Sequence, residues 1–181
     1  MKSVAQTVPR IPREDWTSHP RFRTQALLLG SHSNFRRVSR YLVDKASAEE
    51  FVGLHSLFDR WIASMRSHEA YEERKLYPYL EYRWGVSLDE ARTGHEELHA
   101  GADGVVEAFR SLAQPARARE ETEPSSENLV LAALEAHDRT LDAHLDVEEE
   151  AVVPLLLELS SEEFDRYYRS PLWMLIPETA R

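Results

Sequence analysis

The residues from His68 to Pro78 place an imidazole, two carboxylates and a proline in fixed order, and the order returns from His144 to Pro154. In both copies Glu follows His at four and at five positions and Pro at ten: His68, Glu72, Glu73 and Pro78, then His144, Glu148, Glu149 and Pro154. On a helix, residues four apart lie on one face. Each copy therefore offers an imidazole nitrogen and a carboxylate oxygen to one point in space, which is the donor chemistry of a metal ion held without thiolates.

Further donors fall on the apolar stripes of the neighbouring segments: His32 in the first, His95 and His99 in the third. A lone His on such a stripe is usually a hydrogen-bonded core residue, and a lone pair four apart is usually a surface pair. Five imidazoles and two carboxylates aimed from four segments are hard to explain as packing, because a carboxylate on a core-facing stripe is costly unless paired or metal-bound. Glu73 and Glu149 fall beside the stripe, where they suit orienting a ligand His or facing solvent. His137 lies two turns before His144 on the same face and reads as a core His; Tyr71 and Trp61 read as packing, His19 and His55 as incidental.

Seven donors exceed one tetrahedral zinc. They suit two ions of roughly six positions each. If Glu72 and Glu148 both bridge, a shared oxide or hydroxide leaves about one position open for a small ligand such as dioxygen, peroxide or nitric oxide. Imidazole with carboxylate suits iron, with manganese or a mixed pair as alternatives.

These donors need helices to position them. The first is expected from about Arg23 to Lys45, with Leu28, His32, Phe35, Ser39 and Leu42 on one stripe. Ser47-Ala48-Glu49-Glu50 reads as a capping box that opens the second. Its stripe of Leu54, Leu57, Phe58, Trp61, Ile62 and Met65 leads into His68 and Glu72; Pro78 should bend or begin to end it, and Trp84-Gly85 should close it. The third follows a capping box at Ser87 and carries Leu88, Ala91, His95, His99, Ala102, Val106 and Phe109. After a Pro-, Arg- and Glu-rich connection from Gln114 to Ser126, the fourth runs to about Leu159. The expected architecture is all-α, an up-down-up-down four-helix bundle over 23–159. An extended arm over 1–22 precedes it, and a short helix starting at Ser160 with an apolar tail follows over 160–181.

Composition agrees and excludes alternatives. The chain has 181 residues, enough for one domain with a core, and a net charge of −10 that argues against a basic nucleic-acid surface. It has no Cys, which excludes disulfides and thiolate metal sites. No apolar run approaches the roughly 20 residues of a membrane span, and the first residues lack a signal-peptide core. A cytoplasmic protein is expected.

The combination of His32, His68 with Glu72, His95 with His99, and His144 with Glu148 resembles the hemerythrin-like proteins, the HHE cation-binding domains, over about residues 23–159. The resemblance implies a four-helix bundle around a non-haem di-iron centre (Fe2+/Fe3+). His95, His99 and His144 would hold one iron and His32 and His68 the other; Glu72 and Glu148 would bridge, with the open position on the two-His iron. Oxygen-carrying hemerythrins place an Asp five residues after the last His, where this chain has Glu148 at four. That points to the wider group, with roles in oxygen or nitric-oxide sensing, iron handling and peroxide chemistry. The expected function is binding of dioxygen or a related ligand in redox sensing or stress response; the alternative is a di-iron oxidase or catalase-like peroxidase.

Overall fold

The computed structural model describes residues 10–113 and 124–177. Its regular structure is helical throughout, with no strand among the described residues. A 3-10 segment, Arg13–Ser18, precedes α1 (Phe22–Gln25) and α2 (Leu28–Ser47). Then come α3 (Leu54–Tyr71), a π-helical segment (Glu72–Leu76), α4 (Tyr77–Trp84), α5 (Asp89–Ala113), α6 (Ser126–Glu158), α7 (Ser161–Arg169) and α8 (Leu172–Leu175).

The long helices pack in a ring, α2 on α3, α3 on α5, α5 on α6 and α6 on α2. Their apolar residues fall into two clusters. One gathers Leu76, Tyr77, Leu80, Ala91, Val152 and Leu156 with the terminal segments; the other gathers Phe35, Phe58, Met65, Leu98, Phe109 and Leu141. His32, His68 to Glu72, His95 and His144 to Glu148 lie at the changeover on each helix in turn. The donors therefore form a polar layer between two cores.

Several local expectations are corrected. The first helix is interrupted at Ala26, whose ψ of 41° leaves the helical region. Tertiary bonds outweigh periodicity there: Arg21 Nη1 donates to Leu157 O and Gln25 Nε2 to Leu159 O, tying α1 to the end of α6. Ser47 ends α2 and does not open α3; Glu50 N bonds Lys45 O, Glu49 has φ 59°, and α3 starts behind Gly53 at φ 75°. The described part of the N-terminal arm is folded onto the molecule: Trp16 is buried and Arg13 reaches Asp146 and Glu149 on α6.

Other signals agree. Gly85 closes α4 in the left-handed region, Ser125 caps α6, and Ser160 and Glu163 form a full capping box on α7. In the tail Leu172, Leu175 and Ile176 turn inward while Trp173 and Met174 stay exposed. Pro78 does not end its helix, because the π segment absorbs the irregularity before it. The connection expected over 114–126 lies mostly outside the described residues.

Candidate metal centre

The layer holds two donor groups, His32 with His68 and Glu72, and His95 with His144 and Glu148, the donor atoms of each lying within 4.8 Å of one another. In the first, the Nε2 atoms of His32 and His68 are 3.1 Å apart, and His68 Nε2 is 2.7 Å from Glu72 Oε1. The other oxygen of that carboxylate faces the second group, with Glu72 Oε2 3.5 Å from His95 Nε2. Glu148 also spans the layer: its Oε2 is 3.6 Å from His144 Nε2 and 3.6 Å from His32 Nε2.

Whether these residues suit metal ions can be judged from their unmet valences. Both oxygens of Glu72 and Oε2 of Glu148 are buried without a hydrogen-bond partner. Buried carboxylate oxygens left unpaired are costly. Each is surrounded by imidazole nitrogens at spacings that a shared cation would satisfy, so the donor set fits.

The imidazoles are oriented from behind. Glu149 Oε1 is 3.1 Å from His32 Nδ1, and Glu73 Oε1 is 3.0 Å from His95 Nδ1. Each bond turns the ring so that Nε2 faces the layer. Glu149 is in turn held by Arg13 Nη2 and Arg36 Nη1, and Glu73 by Arg92 Nε at 3.2 Å. The sequence expectation for Glu73 and Glu149 agrees with this geometry.

Electrostatics separate the donors. Burial opposes a charge on His32, but its bond to Glu149 and the nearby carboxylates of Glu72 and Glu148 outweigh that and raise it to about 9. His95, likewise buried, rises to about 9 through Glu72 and Glu73. Burial would raise Glu72, yet His32, His68 and His95 hold it well below the usual carboxylate range. Burial and the charge on Glu72 push Glu148 up to about 8. His144 is lowered to about 4 by burial and by the neighbouring His95.

Six of the seven expected donors are thus brought together. His99 stands outside: its side chain is 48% exposed and its Nε2 lies 2.6 Å from Glu69 Oε2. Glu69 is itself buried, lines the central space, and its Oε1 has no hydrogen-bond partner. His137 is a core ring edge-on to Phe58 and Trp61, lowered to about 4 by burial. His55 stacks on Phe109, and His19 accepts a bond from Arg21 N.

Sequence reasoning passed over Tyr77. It is fully buried, donates to Glu148 Oε1 at 2.7 Å and stacks on His95 at 5.8 Å and 13°. In an α-helix a residue five positions on turns about 140° away. Here Tyr77 N bonds Glu72 O across the π segment, which brings the ring back over the layer.

Space at the layer is uneven. The centre, bounded by Phe35, Met65, Leu98, Leu141 and the donors other than His32, is only about 10 Å³. On the outer side of His68 and Glu72 lies a cavity of about 280 Å³, partly covered by Phe164 and Tyr167 of α7.

Comparison with known proteins places this layer. No curated protein and no solved structure matches the chain. The family model for the Hemerythrin HHE cation binding domain matches residues 24–156, which span every donor of both groups. The chain belongs to the hemerythrin family of HHE cation-binding domains.

Proposed function

We propose that the protein holds two iron ions in this layer and binds dioxygen or a related small ligand, such as peroxide or nitric oxide, in redox sensing or stress response. The observation that supports it most is the division of Glu72, with one oxygen facing His32 and His68 and the other facing His95. A carboxylate set this way would bridge two ions, and Glu148 reaches both groups through a single oxygen, Oε2, which faces His32 and His144. His32 and His68 would hold one ion, His95 and His144 the other, and the seventh position falls to the Glu69–His99 pair. Bound iron would supply the redox chemistry and the ligand site. Tyr77 donates its hydroxyl proton to Glu148 Oε1, and the carboxylates of Glu149 and Glu73 accept from His32 Nδ1 and His95 Nδ1 and so orient the rings.

A second reading, a di-iron oxidase or catalase-like peroxidase, is favoured by the 280 Å³ cavity beside His68 and Glu72, which exceeds what a diatomic ligand needs. One experiment tests both. Metal content and the optical spectrum are measured on purified protein, before and after hydrogen peroxide, while oxygen release is followed. About two irons per chain with a stable adduct is the expected result; sustained turnover moves the assignment to the enzyme. Protein from iron-replete cells that holds no metal overturns both.

A further inference from the structure

The cavity beside His68 and Glu72 has a polar feature that a gas channel would not need. Gln25 lines it and is almost completely buried. Both amide hydrogens of Gln25 are committed, to Leu159 O at 3.2 Å and Ser160 O at 3.4 Å. Turning the amide over would set its oxygen against two carbonyls, so the orientation is fixed. Its Oε1 is left buried with no partner, an acceptor waiting for a donor.

The remaining wall is largely apolar: Leu28, Leu76, Leu156 and Phe164 line it. The hydroxyls of Tyr71 and Tyr167, which also line it, are hydrogen-bonded to each other. Neither Lys nor Arg is among the lining residues, while Glu72 is. Anions therefore meet the Glu72 carboxylate with no ammonium or guanidinium beside it, only the His68 imidazole. Size sets a further limit. Apolar cavities of about 150 Å³ accept benzene, and pockets for drug-sized ligands begin near 300 Å³. At about 280 Å³ this cavity suits a single ring with small substituents.

We infer that this cavity is a binding site for a neutral, single-ring organic molecule bearing a hydroxyl, a phenol or small cyclic alcohol, whose O–H donates to Gln25 Oε1. The ring would lie against Leu28, Leu156 and Phe164. That the site presents this molecule to metal held by His68 and Glu72 rests on the function proposed above; its occupancy does not.

The test uses 4-methylphenol, toluene and 4-methylbenzoate as probes, titrated calorimetrically into the full chain, metal-free and iron-loaded. Saturable binding of 4-methylphenol is expected, about five- to tenfold tighter than toluene, as one buried hydrogen bond allows. 4-Methylbenzoate should bind more weakly than either. In Gln25→Leu the advantage of the phenol over toluene should vanish while toluene still binds. Should that variant fail to fold, intermolecular NOEs from the probe's methyl group to Leu28 and Leu156 in the unaltered protein locate the molecule. Absence of saturable phenol binding, equal affinity for phenol and toluene, an advantage retained in Gln25→Leu, or NOEs elsewhere would each overturn the inference. A chain that holds no metal yet keeps the phenol preference would sink the metal assignment alone, and a metal-loaded chain indifferent to the phenol would sink this one alone.

Discussion

Gly94 and His144 compete for one space: a Cβ built on Gly94 would lie 2.2 Å from Nδ1 of His144. The ring of His144 occupies the place of a side chain on α5, and this close approach lets its Nε2 face Glu148. Gly94→Ala should therefore displace the ring. Overpacking of this kind costs about 1–3 kcal/mol, partly offset by the better helix propensity of Ala. The expected outcome is a folded protein by circular dichroism that has lost most of the metal held by His95, His144 and Glu148. Full metal content would show that the ring has another productive position.

The metal-free protein should be most stable near pH 6.5. His32 and His95, raised to about 9, contribute stability that is complete below their unfolded values and fades as pH rises towards 9. Glu148, raised to about 8, favours its protonated form and acts in the same direction from about pH 4.5 upward. His137 and His144, lowered to about 4, act oppositely: the unfolded chain takes up their protons first, so stability falls as pH drops from 6.5 to 4. Thermal unfolding across pH 4–10 checks this. Metal loading at neutral pH should release protons, because occupied donors must be unprotonated.

Removing the carboxylates behind the rings should weaken metal binding without emptying the core. Glu73→Ala and Glu149→Ala are each expected to lower affinity about 10- to 100-fold. Competition with a chelator measures it. An unchanged affinity in both would mean that packing alone orients His95 and His32.

The seventh donor can be assigned by a pair of variants. Glu69 stands between His99 and the central space, so Glu69→Ala should cost more metal than His99→Ala. The reverse order would make His99 the direct donor, rotated off Glu69 when metal is present.

His137→Ala should keep its metal and lose stability, by about 3 kcal/mol as for other buried rings cut to Ala. Metal content and denaturant unfolding on one preparation separate the two effects. Loss of metal would bring His137 into the site.

Where local spacing governs geometry, the sequence sufficed. His68 with Glu72 and His144 with Glu148 are read from a four-residue offset; for Glu73 and Glu149 the next position leaves orienting a His or facing solvent open, and the bonds to His95 and His32 favour the first. His99 shows where such reading ends. On α5 the stripe through His95, His99 and Val106 and the stripe through His95, Leu98 and Val105 both fit a helical period, and the helix is rotated to bury the second. Tyr77 escaped because a π turn changes the period itself. Gln25 and Arg13 escaped because their partners, Leu159 and Glu149, are more than a hundred residues away and local pattern carries no trace of them.

Two turns along the same helix pair, Gly101 meets the ring of His137, with a Cβ position 3.3 Å from its Cδ2. The two helices thus run antiparallel with a pair of notches, each receiving an imidazole from α6. What differs is the residue one turn beyond each ring: Leu141 after His137, Glu148 after His144. In the first notch the imidazole is an aromatic wedge between Phe58 and Trp61; in the second it is an electron-pair donor. The backbone supplies two sockets of the same kind, and only the one beside Glu148 and His95 belongs to a group of donors that could hold a cation.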